Sequence, residues 1–181
     1  MEHSYYSYLT ELDPESFRRL MNDYGQDVWN LAFVLTRRHE LADDITQDVF
    51  LNVYQNITRF RGHSSMKTWL LSITRNRSIN VLRAAFMRKV TLMDIVAPKT
   101  PVPSAEHTAM EHALSEEIWA AVLKLPLKLR EVLVLHAKYE LSTKEISELL
   151  ELPEGTVKSR LSRARSKMNT EWKEAKHIEG T

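Results

Sequence analysis

The stretch from Glu140 to Met168 constrains the fold more than any other part of this chain, because it has the pattern of two helices joined by a tight turn. Ser142 followed by Glu145 is typical of a capping box, in which each side chain satisfies a backbone donor of the other residue. Pro153 then interrupts the helical pattern, and a second helix is predicted to begin near Thr156. We therefore predict a helix-turn-helix.

The second helix of this pair has one narrow apolar stripe, and its opposite side carries only small polar and basic residues. The stripe consists of Val157, Leu161, Ala164 and Met168. At about 100° per residue, the opposite side carries Ser159, Ser162, Arg163 and Ser166, with Lys158, Arg160, Arg165 and Lys167 on its flanks. Short polar side chains that face base edges, with cations beside them for phosphates, are typical of a helix that reads the major groove. A solvated basic helix is the alternative, but stripe, turn and capping box all favour a DNA-reading module.

Composition restricts the other possibilities. Only four glycines among 181 residues, with many Leu, Glu, Arg and Lys at helical spacing, favour an all-α protein. The absence of cysteine excludes disulfides, zinc fingers and thiol chemistry, and it fits a reducing cytoplasm. Apolar runs are far too short for a membrane span, and the N-terminus lacks the basic start and apolar core of a signal peptide. We therefore expect a cytoplasmic protein.

The net charge of +1 conceals a strong segregation of charge along the chain. Arg59 to Val90 contains eight basic residues and no acid, and the second helix of the helix-turn-helix is also basic. Met1 to Asn30 has six acids against two arginines, and Thr91 to Glu117 has five acids against one lysine. Two basic regions separated by an acidic segment predict two separate contacts with nucleic acid.

Hydrophobic periodicity predicts three helices in a first domain, residues 1–90. The first begins at Asp13-Pro14-Glu15, where Asp is a good N-cap and Pro suits the first helical position. The second runs from about Glu40 to Ile57 and the third from about Met66 to Arg88. The apolar residues expected to face the core from the third helix are Leu71, Ile79, Leu82 and Phe86.

A flexible linker and a second helical domain follow. Residues 91–108 include three prolines and little periodicity, which indicates an extended linker. The second domain, residues 109–181, is predicted to contain helices at Met110–Lys124 and Leu127–Tyr139 before the helix-turn-helix. The polar tail from Glu171 is expected to fray.

The exposed face of the second predicted helix holds an apolar residue among polar ones. Leu51 lies on the same side as Asp44, Gln47 and Asp48. A lone exposed leucine is ordinary in a folded protein. An acidic face with an apolar centre also suits docking onto a basic protein surface.

The segment from Arg59 to Ser65 reads as a loop in which aromatic residues alternate with cations. Phe60, His63 and Trp69 lie among Arg59, Arg61, Lys67, Arg75 and Arg77. Such a composition is typical of a platform on which unpaired bases stack. Periodicity alone leaves open whether Trp69 belongs instead to the core.

No residue pattern indicates catalysis. His107, Glu111 and His112 could ligate a metal, but no further ligand accompanies them. The chain has no phosphate-binding glycine loop, no nucleophile elbow and no convincing carboxylate pair. We predict that it is not an enzyme and that it uses no metal, cofactor or small-molecule substrate.

From about Glu15 to Met168 the chain resembles the extracytoplasmic-function sigma factors, which form group 4 of the sigma factors of bacterial RNA polymerase. Ala42–Tyr54, ADDITQDVFLNVY, resembles the family's polymerase-docking helix. Phe60–Asn76, FRGHSSMKTWLLSITRN, continuing through Ser78–Arg83, resembles its promoter-melting segment. Leu125–Arg165 is similar to its helix-turn-helix region. The alternative is an autonomous helix-turn-helix regulator, which would need neither a docking helix nor a loop for single strands.

The resemblance implies an alternative sigma factor whose partners are core RNA polymerase, promoter DNA and an anti-sigma factor, often membrane-anchored. Residues 1–90 and 109–181 would be sigma regions 2 and 4.

The residues implied to contact the clamp helices of polymerase are Asp44, Gln47, Asp48 and Leu51. The loop implied to receive a flipped base of the minus-ten element consists of Arg61, Gly62, His63, Ser64 and Ser65. The residues implied to line the separated non-template strand are Asn76, Arg77, Asn80 and Arg83, and Trp69 is also assigned to the minus-ten DNA. The residues implied to read the minus-thirty-five element are Lys158, Ser159, Ser162 and Arg163, with Arg160 on a phosphate.

Overall fold

The computed structural model describes residues 12–91 and 113–178, with side chains from 12 to 88 and from 118 to 170. Within these ranges it contains seven α-helices, one short 3₁₀ turn and no strand, so the prediction of an all-α protein is confirmed. The chain separates into two compact units, residues 1–100 and 101–181. Each described helix is too short or too polar to span a bilayer. The predicted linker lies almost entirely outside the described residues.

The first unit is built from three helices, α1 (Pro14–Thr36), α2 (His39–Asn56) and α3 (Met66–Thr91). The Asp13 carboxylate accepts hydrogen bonds from the backbone amides of Glu15 and Ser16, both at 3.0 Å, which confirms the predicted start of α1. The three helices enclose one apolar core, whose members include Leu20, Val28, Ile45, Val49, Val53 and Leu70. Both ends of the loop between α2 and α3 are packed into this core.

The buried face of α3 agrees with the prediction only in part. Leu71 is fully buried, and Ile79 and Leu82 are partly buried, as predicted. Phe86, also expected in the core, is 65% exposed, whereas Thr74 and Ser78 are fully buried. The two hydroxyls donate at 2.8 Å to the backbone oxygens of Leu70 and Thr74, respectively, so their burial leaves no polar group unsatisfied. Apolar periodicity treats such residues as outward-facing, and it therefore predicts a core face turned by about 90° from the real one.

The second unit contains α4 (Ala113–Lys124), α5 (Leu127–Ala137), α6 (Thr143–Leu150) and α7 (Glu154–Ile178). The apolar stripe predicted for the recognition helix, α7, faces the core: Val157, Leu161 and Ala164 are buried and Met168 is half-buried. Helix α7 begins two residues before the predicted start and continues to Ile178. The backbone from Glu171 to Ile178 is therefore helical, and the expected fraying of this tail stays a prediction.

Candidate protein and nucleic-acid interfaces

The helix-turn-helix is fixed by hydrogen bonds at the start of α6. The Ser142 hydroxyl accepts from the Glu145 amide at 3.2 Å, and the Glu145 carboxylate accepts from the Ser142 amide at 2.8 Å, so the predicted capping box is confirmed. Hydrogen bonds from the Ser142 hydroxyl and amide hold the pKa of Glu145 below its usual range. The chain then turns at Glu151, whose φ of 54° ends α6 in the left-handed conformation.

The side of α7 opposite its buried stripe is open to solvent. Ser159, Ser162, Arg163 and Ser166 are all exposed, in agreement with the face predicted from the sequence. Arg163 lies within about 50° of the pole opposite the stripe, from which a long side chain can reach the floor of a major groove.

Glu154, which the sequence analysis did not single out, organises the start of the recognition helix. One of its carboxylate oxygens lies 2.9 Å from the Lys158 ammonium and accepts a hydrogen bond from the Thr143 hydroxyl at 2.7 Å. The contacts with Lys158 and then Thr143 hold the pKa of Glu154 below its usual range. The side chain of Lys158 is still 63% exposed, so the ammonium remains accessible to a phosphate.

Arg160 is less exposed than its predicted position on the flank of α7 implies. Its side chain is only 16% exposed, and its guanidinium lies 3.3 Å from the Glu131 carboxylate, whose side chain is 4% exposed. On the helical wheel Arg160 lies only about 70° from the centre of the buried stripe, and α5 supplies the acid that it faces. The assignment of Arg160 to a phosphate stays a prediction; the contact that the structure shows is the ion pair that joins α7 to α5.

The polar face of α2 is arranged as predicted. Asp44, Gln47 and Asp48 are exposed around Leu51, which is itself 56% exposed. The Asp48 carboxylate also lies 3.3 Å from the guanidinium of Arg77 on α3. A residue assigned to polymerase docking and a residue assigned to DNA therefore form an ion pair.

The loop between α2 and α3 is anchored at both ends and exposed between them. Phe60 and Met66 are buried, whereas residues 61–64 are exposed. Gly62 has a φ of 70°, a left-handed conformation that favours glycine. Ser65 has a structural role that the sequence analysis did not foresee, because its hydroxyl accepts a hydrogen bond from the Thr68 amide at 3.0 Å and so caps α3.

The aromatic platform predicted for this loop is only partly available. Phe60 is 3% exposed, and its ring centroid lies 5.2 Å from that of Trp69 at an interplanar angle of 47°. Phe60 is therefore a core residue and cannot stack on a base. Trp69 is half-buried over Phe60 and keeps part of its surface in solvent.

The outer face of α3 extends from the loop along the helix. Trp69, Asn76, Asn80 and Arg83 fall within about 60° of one another on the helical wheel, and the last three are exposed. Arg77 lies about 100° from Asn76 and pairs instead with Asp48 on α2. Helix α3 contains no acidic residue, so this face is polar or cationic throughout.

In the part of the chain that the structure describes, no three His, Cys, Asp or Glu side chains are close enough to hold a metal ion. His107, Glu111 and His112 lie outside that part.

Comparisons with known proteins show which family the chain belongs to. The Sigma-70 region 2 family matches residues 20–85, and the Sigma-70 region 4 family matches residues 115–168. The chain is 31% identical to the ECF RNA polymerase sigma factor SigW of Bacillus subtilis, over 84% of this chain and 87% of that one. It is 32% identical to RNA polymerase sigma factor YlaC of the same organism, over 83% and 88% of the two chains.

A solved structure with a similar fold is that of the sigma factor RpoE of Bartonella quintana in complex with the anti-sigma factor NepR. The TM-score is 0.73 at 21% identity, over 88% of this chain and 98% of that one. At this identity the likeness concerns the fold alone.

Proposed function

Because the chain belongs to the ECF RNA polymerase sigma factors, it binds core RNA polymerase, directs it to specific promoters and promotes DNA melting, and we propose that three of its surfaces carry these activities. They are the outer face of α2, the loop with the outer face of α3, and the exposed face of α7. The match to region 2 favours this function over that of an autonomous regulator, which needs no such region.

The outer face of α2 binds polymerase in this proposal. Leu51 supplies apolar area at the centre of the contact, and the surrounding Asp44, Gln47 and Asp48 give it polarity and negative charge. An apolar centre with a polar rim is the usual anatomy of a protein interface.

The loop and α3 bind the melted strand. The observation that carries this assignment is the acid-free composition of α3 combined with the exposure of residues 61–64, Asn76, Asn80 and Arg83. Cations position the phosphates, and a base captured by the loop offsets the cost of unstacking it. We propose that the capture involves Arg61, Gly62, His63 and Ser64, and that Ser65 contributes by capping α3.

We also propose that this chain catalyses no reaction, since binding energy is sufficient for promoter recognition and melting. Its site of action would be the cytoplasm, where core polymerase and promoter DNA are found. A third proposed partner is an anti-sigma factor, by analogy with Bartonella quintana RpoE, which was solved with one.

The proposed function is tested by transcription with purified components. Core polymerase with this protein should initiate at a defined set of promoters that core polymerase alone does not use. Mapping the start sites of transcripts that increase on overexpression supplies those promoters. If the protein bound promoter DNA but did not change initiation by core polymerase, it would be a stand-alone regulator.

The melting residues give a prediction about template structure. His63→Ala and Asn80→Ala should each lower open-complex formation on duplex promoters by about ten-fold, because a captured base offsets a few kcal/mol of unstacking. Permanganate footprinting of unpaired thymines measures this. A premelted template should restore part of the loss, and Asn22→Ala, an exposed change on α1, should have no effect. Normal footprints with both variants on duplex DNA would remove these residues from the site.

The recognition helix gives a prediction that separates base contacts from phosphate contacts. Arg163→Ala should cost about 1–3 kcal/mol on the cognate upstream element and relax the preference at one base position. Lys158→Ala should weaken binding to all upstream elements alike and reduce the salt slope by about one unit. Both effects are measured with holoenzyme on a panel of upstream-element variants. If Lys158→Ala relaxed the base preference and Arg163→Ala weakened binding to all upstream elements alike, the orientation proposed for α7 would be wrong.

A further inference from the structure

The last turns of α3 carry exposed apolar side chains next to a cation. Phe86 is 65% exposed and Met87 is 61% exposed, and both follow Arg83 by one helical turn. Residues three apart on a helix are neighbours on its surface, so Arg83 and Phe86 lie on adjacent parts of α3. On the helical wheel Met87 continues the outer face of α3, and Phe86 lies at the edge of that face, about 60° from Arg83.

The surroundings of Phe86 favour a nucleic-acid occupant over a protein one. Helix α3 has no acidic residue of its own, and the exposed side chains of Arg83 and Arg88 lie on either side of Phe86 in the sequence, which favours a strand of phosphates. An exposed aromatic ring beside arginine has the composition of a stacking platform for unpaired bases. The Cα atom of Phe86 lies about 4.5 Å beyond that of Arg83 along the helix axis, so the two side chains are close enough to contact neighbouring nucleotides.

We propose that Phe86 stacks on a base of promoter DNA at the edge of the melted segment, while Arg83 holds a neighbouring phosphate. The inference rests on the proposed function, because it extends the same strand-binding face by one turn. It also replaces the buried Phe60, which the sequence analysis had assigned to this role, with an aromatic side chain that is open to solvent.

The test compares three substitutions of Phe86 in holoenzyme. Phe86→Ala should reduce open-complex formation by about ten-fold, which is within the range for loss of one base stacked on an aromatic side chain. Phe86→Trp should retain activity. Phe86→Leu keeps an apolar side chain but removes the ring, so it should behave like alanine. The salt slope should not change in any of the three, whereas Arg83→Ala should reduce it by about one unit.

A second readout locates the base. With 2-aminopurine placed at successive positions of the non-template strand, one position should be quenched by wild-type holoenzyme and brighten with Phe86→Ala and Phe86→Leu. Full activity of Phe86→Leu would mean that the ring is not needed and would overturn the proposal. Weaker binding of core polymerase by Phe86→Ala would assign the patch to a protein contact instead.

Two further outcomes also contradict the proposal. If Phe86→Ala lowered the melting temperature of the free protein but left promoter opening unchanged, another part of the same chain would cover the ring. If promoter opening and the 2-aminopurine signals were unchanged in all three variants, the stacking role would be wrong. Normal promoter opening by wild-type holoenzyme in the same assay keeps each of these failures distinct from a failure of the proposed function.

Discussion

Replacing Glu131 with alanine is expected to lower the free energy of unfolding of the second unit by about 3 kcal/mol. The substitution removes the carboxylate that faces the largely buried guanidinium of Arg160 at 3.3 Å. Removing one partner of a buried ion pair typically costs about 3–5 kcal/mol, because the remaining charge loses its compensation. We expect the lower end of that range because Arg160 keeps 16% of its side-chain surface in solvent.

Hydrogen exchange on the full-length chain measures this change and contains its own control. Exchange from the amides of α5 and α7 should accelerate, whereas exchange from α1, in the other unit, should stay the same. Replacing Glu131 and Arg160 together with methionine should cost less than the sum of the two single substitutions, since neither charge is then left alone. Additive losses would show that the pair does not couple α5 to the recognition helix.

Replacing Leu51 with glutamate is expected to weaken binding to core polymerase by about 2 kcal/mol or more, roughly thirty-fold. The side chain is 56% exposed, so the fold does not depend on it. In a complex it would lie at the centre of the α2 face, where truncating an anchor is most costly and a new charge would be buried without a partner.

Quantitative pull-down with core polymerase measures the loss, and circular dichroism checks that the helices persist. A matched control is Gln26→Glu, which adds the same negative charge at an exposed position of α1. It should bind polymerase normally. Unchanged binding by Leu51→Glu, or an equal loss with both variants, would remove Leu51 from the proposed docking face.

Features set by residues close in sequence were predictable without the structure. The capping box of Ser142 and Glu145, the N-cap at Asp13 and the stripe of α7 depend on local hydrogen bonds and one helical period. The exposure of Leu51 was predictable for the same reason. In each case the residues that determine the feature lie within a few positions of one another in the sequence.

Features set by packing between helices were not predictable in this way. Arg160 was assigned to a flank because the helical wheel of α7 contains no information about Glu131, which α5 brings to within 3.3 Å. Thr74 and Ser78 were not among the core residues predicted for α3, because apolar periodicity overlooks hydroxyls that can be buried when they hydrogen-bond within their own helix. The same error in the predicted orientation of α3 placed Phe86 in the core.

The ion pair between Asp48 and Arg77 links polymerase binding to strand binding thermodynamically, if the two residues contact the partners proposed for them. When polymerase draws Asp48 away from Arg77, the Arg77 guanidinium becomes more available to the DNA strand. By linkage, the strand raises the affinity for polymerase by the same factor. Both side chains are about half exposed, so the pair is worth no more than about 1 kcal/mol. Such a coupling changes affinity by at most about five-fold. The free factor would then hold single-stranded promoter DNA slightly less tightly than the same factor does on polymerase.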